Sequence, residues 1–354
     1  MNFTDRIFEL KEVETLRGHT DRVCCIAWNP ATGVDGVPAM IASCGADKNV
    51  LIWEQNIATG SFQSKEKLAK LHASTVIRCA WAASGSLLVT SSVRGCICIW
   101  KSFEGRFRIM NCFGRRDKLP VSVSLNASGE LMASCVPQKK IWIWKRASTL
   151  NNDVKYLSTV AGSTGCTKMI LWHPLKDILF SCGFDNTIKI WVPDADMVNW
   201  DCMQTLGESN SGRRHSIWAL VFNGGGNKIV ACSDDLSINI WSVDTGMMRF
   251  GERNAPGTHL CTLTGCHDQT IFAVHWSRQE IICTGAADGA LCFIIESEDG
   301  SFDEPAYKLL LKKDHAHDKD INSVQWCSQD NSHVASASDD GTIKIWELAS
   351  LPRF

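Results

Sequence analysis

Tryptophan recurs along this chain at a nearly constant interval, each time at the end of a short apolar run. The residues are Trp53, Trp100, Trp144, Trp191, Trp241 and Trp346, separated by 47, 44, 47, 50 and 105 residues. The last interval is a double one, and Ile294 lies near its middle in the same local sequence, A-D-G-A-L-C-F-I. The chain of 354 residues therefore contains seven similar units. Runs such as V-L-I-W and I-K-I-W predict short buried strands, and no amphipathic run predicts a long helix.

The typical unit ends in the pattern D-x-x-(I/V)-x-(I/V)-W, and a repeat of roughly 40–50 residues with this ending is typical of a WD-repeat blade. We therefore predict an all-β fold, a seven-bladed WD-repeat β-propeller. Five units have aspartate six residues before the closing residue: Asp47, Asp185, Asp235, Asp288 and Asp340. Units two and three have Arg94 and Gln138 there. The first strand of each blade is marked by Trp28, Trp81, Leu125, Trp172, Phe222, Trp276 and Trp326.

Two blades carry a complete set of polar residues that resembles the hydrogen-bond network of WD repeats. The set is His19, Ser43, Asp47 and Trp53 in blade one, and His317, Ser336, Asp340 and Trp346 in blade seven. In this network the histidine bridges the serine and the turn aspartate. Because buried polar groups are costly unless they satisfy one another, such a network fixes a blade in one arrangement.

A propeller must close its ring, because an open sheet edge invites pairing with other chains. Residues 6–16 read as a strand that no earlier blade can use. We expect this strand to close the ring against the last blade, at about residues 315–348, so that residues 1–354 form a single domain.

Composition excludes several classes of partner. A net charge of −2 and a pI near 6.5 argue against direct nucleic-acid binding, which depends on phosphate neutralisation. No apolar stretch approaches membrane-spanning length, and the charged N-terminus does not resemble a signal peptide. We therefore expect a soluble cytoplasmic protein, with the nucleus as a second location.

The 17 cysteines follow neither a disulfide framework nor the C-x-x-C pattern of a metal site. Cys44, Cys135, Cys182 and Cys232 occupy the same position of four blades, where cysteine acts as a small buried hydrophobe. The spacing of Cys96 and Cys98 suits a strand. We expect no cofactor and no stoichiometric iron or zinc. The sequence also lacks a nucleophile elbow, a phosphate loop and a dinucleotide fingerprint, so we expect no enzyme activity.

Function is therefore expected on the rim of the central channel. The residue four positions before the first-strand marker should project at the channel mouth, which gives Cys24, Ile77, Val121, Lys168, Trp218, Phe272 and Asn322. Trp218 and Phe272 belong to adjacent blades, and exposed aromatic rings there suit the capture of a peptide. Cations nearby, Arg22, Arg78 and Lys168, together with Asn322, complete the predicted site. The alternative is that both rings pack into the core between the blades.

Several stretches resemble the family of cytosolic iron–sulfur cluster assembly WD-repeat proteins, called Ciao or Cia. They are L-C-T-L-T-G-C-H-D-Q-T-I-F-A-V-H-W (260–276), D-H-A-H-D-K-D-I-N-S-V-Q-W (314–326), A-S-A-S-D-D-G-T-I-K-I-W (335–346), H-S-I-W-A-L-V-F (215–222) and L-W-H-P (171–174). The resemblance implies a non-catalytic subunit of the complex that delivers iron–sulfur clusters to cytosolic and nuclear apoproteins. It implies as partners a small scaffold protein with a reactive cysteine, a large helical-repeat adaptor, an iron-only-hydrogenase-like carrier and client proteins. It also implies recognition of client C-termini that end in an aromatic residue.

The chain departs from that family in blade three. The family pattern there is S-R-D, whereas this chain has Val136, Pro137 and Gln138. Either Arg94, Lys139 or Lys140 supplies the missing cation, or the contacts of the blade are altered. Two other function classes stay open: a generic WD-repeat adaptor, as in a ubiquitin-ligase substrate receptor or a chromatin reader, and an enzyme built on a propeller.

Overall fold

Short antiparallel strands joined by turns make up nearly all of the structure, a computed structural model that describes residues 6–68, 71–113, 122–136, 140–146, 154–161, 166–207, 215–252, 254–297, 300, 305–330 and 332–352. Within these ranges, 28 strands form seven sheets of four strands each. The same ranges contain one 3₁₀ turn, Thr245–Met247. The predicted all-β, seven-bladed propeller is therefore confirmed.

The first four blades follow one another along the chain, each with its strands in sequence order. Blade one consists of β2 (Val23–Trp28), β3 (Met40–Gly45), β4 (Val50–Gln55) and β5 (Phe62–Leu68), and blade two of β6 (Val76–Trp81), β7 (Leu87–Ser92), β8 (Ile97–Phe103) and β9 (Arg106–Phe113). Blade three consists of β10 (Ser122–Leu125), β11 (Leu131–Val136), β12 (Lys140–Arg146) and β13 (Val154–Ala161), and blade four of β14 (Thr167–Trp172), β15 (Leu179–Gly183), β16 (Ile188–Pro193) and β17 (Trp200–Leu206).

The last blade differs because it takes one strand from the other end of the chain. Blade five consists of β18 (Ile217–Phe222), β19 (Lys228–Ser233), β20 (Ile238–Val243) and β21 (Gly257–Leu263), and blade six of β22 (Ile271–Trp276), β23 (Ile281–Ala286), β24 (Leu291–Ser297) and β25 (Ala306–Lys313). Blade seven consists of β26 (Ile321–Trp326), β27 (His333–Ser338), β28 (Thr342–Pro352) and the N-terminal strand β1 (Arg6–Arg17).

The N-terminal strand closes the ring. β1 pairs antiparallel with β28 from Arg6 opposite Pro352 to Arg17 opposite Thr342. Leu10 and Leu16 on this strand are buried. The innermost strands also complete the circle, because β2 contacts β6 of the next blade and β26 of the last. That residues 1–354 form a single domain stays a prediction.

The predicted polar network is present in blades one and seven. In blade seven His317 Nε2 lies 2.7 Å from Ser336 Oγ, and its Nδ1 lies 2.8 Å from Asp340 Oδ2. Trp346 Nε1 donates to the same serine oxygen at 2.8 Å. In blade one the matching distances for the four predicted residues are 2.8, 2.9 and 2.8 Å. One serine oxygen therefore fixes both the histidine and the closing tryptophan.

Each turn aspartate contacts the backbone of its own turn as well as the histidine. Asp340 Oδ1 accepts from the backbone N–H of Thr342 at 2.8 Å, and Asp47 Oδ1 accepts in the same way from Asn49 at 3.1 Å. Burial raises the pKa of Asp340, but hydrogen bonds from His317 and Thr342 outweigh it and hold that pKa well below its ordinary value. The ionised carboxylate of Asp340 therefore stabilises the folded protein fully at pH values above its pKa in the unfolded chain, about 3.9. This stabilisation is lost as the pH falls through the lower pKa that Asp340 has in the folded protein.

Ser336→Ala should destabilise the protein by about 2 kcal/mol or more, because it leaves the buried Trp346 N–H and one nitrogen of His317 without a partner. Ser350→Ala, on the exposed part of the same strand, is the matched control. Thermal unfolding of the two variants and the wild type measures the difference. Equal melting temperatures for Ser336→Ala and Ser350→Ala would contradict this role of the network.

Deletion of residues 1–15 should leave the edge of β28 unpaired and cause aggregation, since an open edge pairs with other chains. A deletion of residues 1–5, which leaves β1 intact, serves as the control. Light scattering and melting curves report the outcome. A monomeric 16–354 protein with an unchanged melting temperature would show that β1 is dispensable for closure.

Candidate functional site

In six of the seven blades, a β-bulge at the start of the innermost strand points one side chain at the channel mouth. The pairing of the first two strands skips one residue in six blades, and the skipped residues are Cys24, Ile77, Lys168, Trp218, Phe272 and Asn322. A bulge bends its strand and re-aims the side chain that it leaves unpaired. These are six of the seven positions predicted for the mouth. The seventh, Val121, lies outside the described residues.

All six residues of the predicted peptide-binding site line one cavity of about 340 Å³. They are Trp218, Phe272, Arg22, Arg78, Lys168 and Asn322. Cys24, Ile77, Asp320 and Asp339 complete the lining, and this cavity is called the channel-mouth cavity below. The structure therefore brings the predicted residues together, while their role in binding stays a prediction.

The two aromatic rings of the cavity contact each other across blades five and six. The ring centroids of Trp218 and Phe272 are 4.9 Å apart, and the rings are nearly perpendicular at 83°. Both side chains are half-buried. The rings therefore pack between the blades and still present part of their surface to the cavity, which combines the two alternatives that the sequence left open. Trp218 Nε1 is buried and has no hydrogen-bond partner within the described part of the chain.

Cations surround these rings. Lys168 Nζ lies 3.8 Å from the centroid of the Trp218 ring and 4.4 Å from that of Phe184, distances suited to cation–π attraction. Burial lowers the pKa of Lys168. Arg22 and Arg78 line the same cavity, and neither forms an ion pair with another described residue. The guanidinium groups are therefore available to an anionic ligand.

An acidic side of the cavity was not predicted from the sequence. Asn322 Nδ2 donates to Asp339 Oδ1 at 2.6 Å and to the backbone carbonyl of Val23 at 2.9 Å. Burial and the nearby Asp339 raise the pKa of Asp320. Asn322 thus joins blade seven to blade one and orients Asp339. The repeat pattern contains a signal for Asp339, because it directly precedes the turn aspartate of blade seven.

The missing cation of blade three is not replaced by Arg94 at this cavity. Arg94 lines a different cavity, on blade two, together with Cys96 and Cys112. Lys140 is exposed at the start of β12. Pro137, Gln138 and Lys139 lie outside the described residues, so the effect of the blade-three substitution on binding stays a prediction.

The cysteines are buried hydrophobes in part only. Cys44, Cys135, Cys182 and Cys232 are buried in their strands, as the repeat predicts. The absence of a C-x-x-C pattern does not keep the cysteines apart from other possible metal ligands, because in blade two Cys96 and Cys98 approach His72. The sequence missed this group because its members lie on different strands and loops.

Comparison with protein families agrees with the repeat. The WD domain, G-beta repeat matches residues 10–54, 65–101, 154–192, 200–242 and 308–347. These matches cover more than half of the chain, which therefore belongs to the WD-repeat family. Most of blades three and six lies outside the matches; these blades include the departures from the repeat at Gln138 and Ile294.

Two relatives match over nearly the whole chain. The chain is 45% identical to "Protein CIA1" of Arabidopsis thaliana over 356 residues, which covers 99% of this chain and 100% of that protein. It is 28% identical over 347 residues to the "Probable cytosolic iron-sulfur protein assembly protein Ciao1" of Culex quinquefasciatus, over 96% of this chain and 98% of the relative. The chain belongs to this CIA1 and Ciao1 family. Among the described residues, no helix is long and apolar enough to cross a membrane.

Proposed function

We propose that this protein is a non-catalytic scaffold in cytosolic iron–sulfur protein assembly, and a subunit of the complex that delivers clusters to cytosolic and nuclear apoproteins. The names of its full-length relatives support the pathway. Its partners are a small scaffold protein with a reactive cysteine, a large helical-repeat adaptor, an iron-only-hydrogenase-like carrier and the client apoproteins. It acts in the cytosol and on clients that also work in the nucleus.

The channel-mouth cavity is the surface that we assign to client tails. The main observation behind this assignment is that two half-buried aromatic rings and three cations, drawn from five blades, line one cavity of about 340 Å³. A volume of this size suits one or two residues of a peptide end. The ligand that complements such a lining has an aromatic ring and negative charge close together, as a C-terminal aromatic residue preceded by an acidic one does.

Each part of such a tail has a counterpart in the cavity. An aromatic side chain packs against the Trp218 and Phe272 pair, and Arg22 and Arg78 offer bidentate donors to carboxylates. A carbonyl or carboxylate oxygen of the peptide would also accept from Trp218 Nε1, which is buried without a partner among the described residues. Binding would therefore give this N–H a hydrogen-bond partner, which removes the free-energy cost of leaving it unsatisfied, and would also bury apolar surface.

A methyl-lysine reader is disfavoured by the same geometry. A cage for a methylated ammonium group needs open aromatic faces and negative charge. Here the Trp218 ring already carries Lys168 at 3.8 Å, and two arginines line the cavity. A second cation would be repelled on the basic side.

Trp218→Ala should weaken the binding of a labelled peptide ending in Leu-Asp-Trp by about 2 kcal/mol or more, as expected when a central aromatic contact is removed. Fluorescence anisotropy titration gives the affinity, and melting curves run alongside report folding. Phe250→Ala, at an aromatic residue that is 40% exposed and does not line this cavity, is the matched control and should bind like the wild type. A peptide ending in Leu-Asn-Trp-amide should bind more weakly, since it lacks both carboxylates.

Equal affinities of the wild type and Trp218→Ala would remove the peptide site from this cavity. Loss of binding together with a collapsed melting temperature would assign Trp218 to the core. Lys168→Ala and Arg78→Ala, tested in the same way, show whether the cations contribute as the geometry requires.

A further inference from the structure

Blade two carries a modified version of the polar network. His72 Nε2 lies 2.8 Å from Thr90 Oγ1, which also accepts from Trp100 Nε1 at 3.0 Å, as in the complete blades. The turn aspartate is replaced by Arg94. His72 Nδ1, the atom that would contact this aspartate, is consequently buried with no hydrogen-bond partner in the described parts of the chain.

The thiols of Cys96 and Cys98 lie beside this histidine, and the thiol of Cys112 lies beside theirs. Cys96 precedes β8, Cys98 lies in β8, and Cys112 lies in β9, where it pairs directly opposite Cys98. Residues two apart along a strand share one face, so Cys96 and Cys98 have their side chains on the side that Cys112 also faces. The distances between Sγ atoms are 3.5 Å for Cys96 and Cys98, 2.8 Å for Cys96 and Cys112, and 3.4 Å for Cys98 and Cys112.

Other blades show that these positions reach the histidine ring. Thr342 is the blade-seven counterpart of Cys96, and its Oγ1 lies 3.3 Å from His317 Nδ1. Cys292 is the blade-six counterpart of Cys98, and its Sγ lies 4.0 Å from His267 Nδ1. In blade two the ligand atoms of His72, Cys96 and Cys98 all lie within 4.8 Å of one another.

The three sulfur atoms lie close enough together to bind one metal ion. A triangle with edges of 3.5, 2.8 and 3.4 Å has a circumscribed radius of about 1.9 Å, shorter than a Zn–S bond of about 2.3 Å. A point at bonding distance from all three sulfur atoms therefore exists on either side of their plane. Three thiolates and one imidazole form a Cys₃His ligand set, which favours tetrahedral zinc over the hard cations that prefer oxygen.

We propose that blade two holds a structural zinc ion, bound by Cys96, Cys98 and Cys112 and by Nδ1 of His72. On binding, each thiol enters as thiolate and releases its proton to the solvent, while the imidazole binds neutral. Zinc with three thiolates has a net charge of −1, and Arg94, which lines the adjoining cavity of about 780 Å³, supplies a compensating positive charge. Cys112 is exposed in that cavity and gives the ion a path of entry.

The electrostatics of the cluster agree with this assignment. The neighbouring Cys98 thiol, together with His72 and Cys112, lowers the pKa of Cys96 to about 4 against the opposing effect of burial. In blades one and seven an aspartate contacts Nδ1 of the histidine, and blade two has no such aspartate. Zinc bound to Nδ1 of His72 would fix the orientation of the ring in its place. This inference does not depend on the peptide site.

The test is a cobalt titration of the full-length protein under argon with a phosphine reductant. Co²⁺ replaces zinc at tetrahedral thiolate sites and gives intense thiolate-to-metal absorption together with visible d–d bands. We expect saturation at one Co²⁺ per chain, displacement by Zn²⁺, and one zinc per chain by elemental analysis after growth with zinc. Zinc should also raise the melting temperature.

Cys112→Ser is the decisive variant because this exposed position tolerates a polar side chain without loss of the core. It should bind Co²⁺ at least about tenfold more weakly, since even partners behind the ligands contribute 10–100-fold. Cys202→Ser, at an exposed cysteine on β17, should match the wild type. Equal Co²⁺ affinity of the two variants would overturn the proposal. So would a wild type without thiolate bands, a disulfide between Cys96 and Cys112 that persists under the reductant, or iron with sulfide in place of zinc.

Discussion

Apolar packing between neighbouring blades is the interaction on which this structure depends. The described core divides into seven clusters, and each is shared by two adjacent blades, including blade seven with blade one. A four-stranded blade therefore buries its faces only against its neighbours, and the ring gains its last interface when the circle closes. The pairing of β1 with β28 joins the two ends of the chain in one sheet, so that opening the last interface also requires breaking eleven residues of strand pairing.

The same ring arrangement creates the channel-mouth cavity. Seven innermost strands start at one end of the channel, and a bulge in six of the described blades points one side chain toward the opening. Residues as far apart in the sequence as Arg22 and Asp339 thereby line one space. The backbone geometry of the blade requires only that each of these positions can adopt a bulge.

The repeat made the fold and most of this cavity predictable. Because every blade repeats the same register, counting four residues back from the strand marker placed Trp218, Phe272 and Lys168 at the mouth without any knowledge of distances. Asp320 and Asp339 were missed because they reach the cavity from loops next to the counted position. The thiol group of blade two was missed for a different reason. Cys112 joins the other two thiols only because it lies opposite Cys98 across a hairpin. A spacing of 14 residues does not predict this contact unless the pairing of β8 with β9 is known.

Blade two shows how one position of a repeat can change its chemistry while the fold persists. In blades one, six and seven the histidine is fastened on both sides, by a hydroxyl and by a turn aspartate. Blade two keeps the hydroxyl contact and loses the carboxylate, and a buried imidazole nitrogen left without a partner costs about 1–3 kcal/mol. A neighbouring group that binds this nitrogen would remove that cost. In the proposed site, thiols at positions that already reach the ring hold a metal ion that binds this nitrogen, and Cys98 at the same time remains part of the apolar cluster between blades one and two.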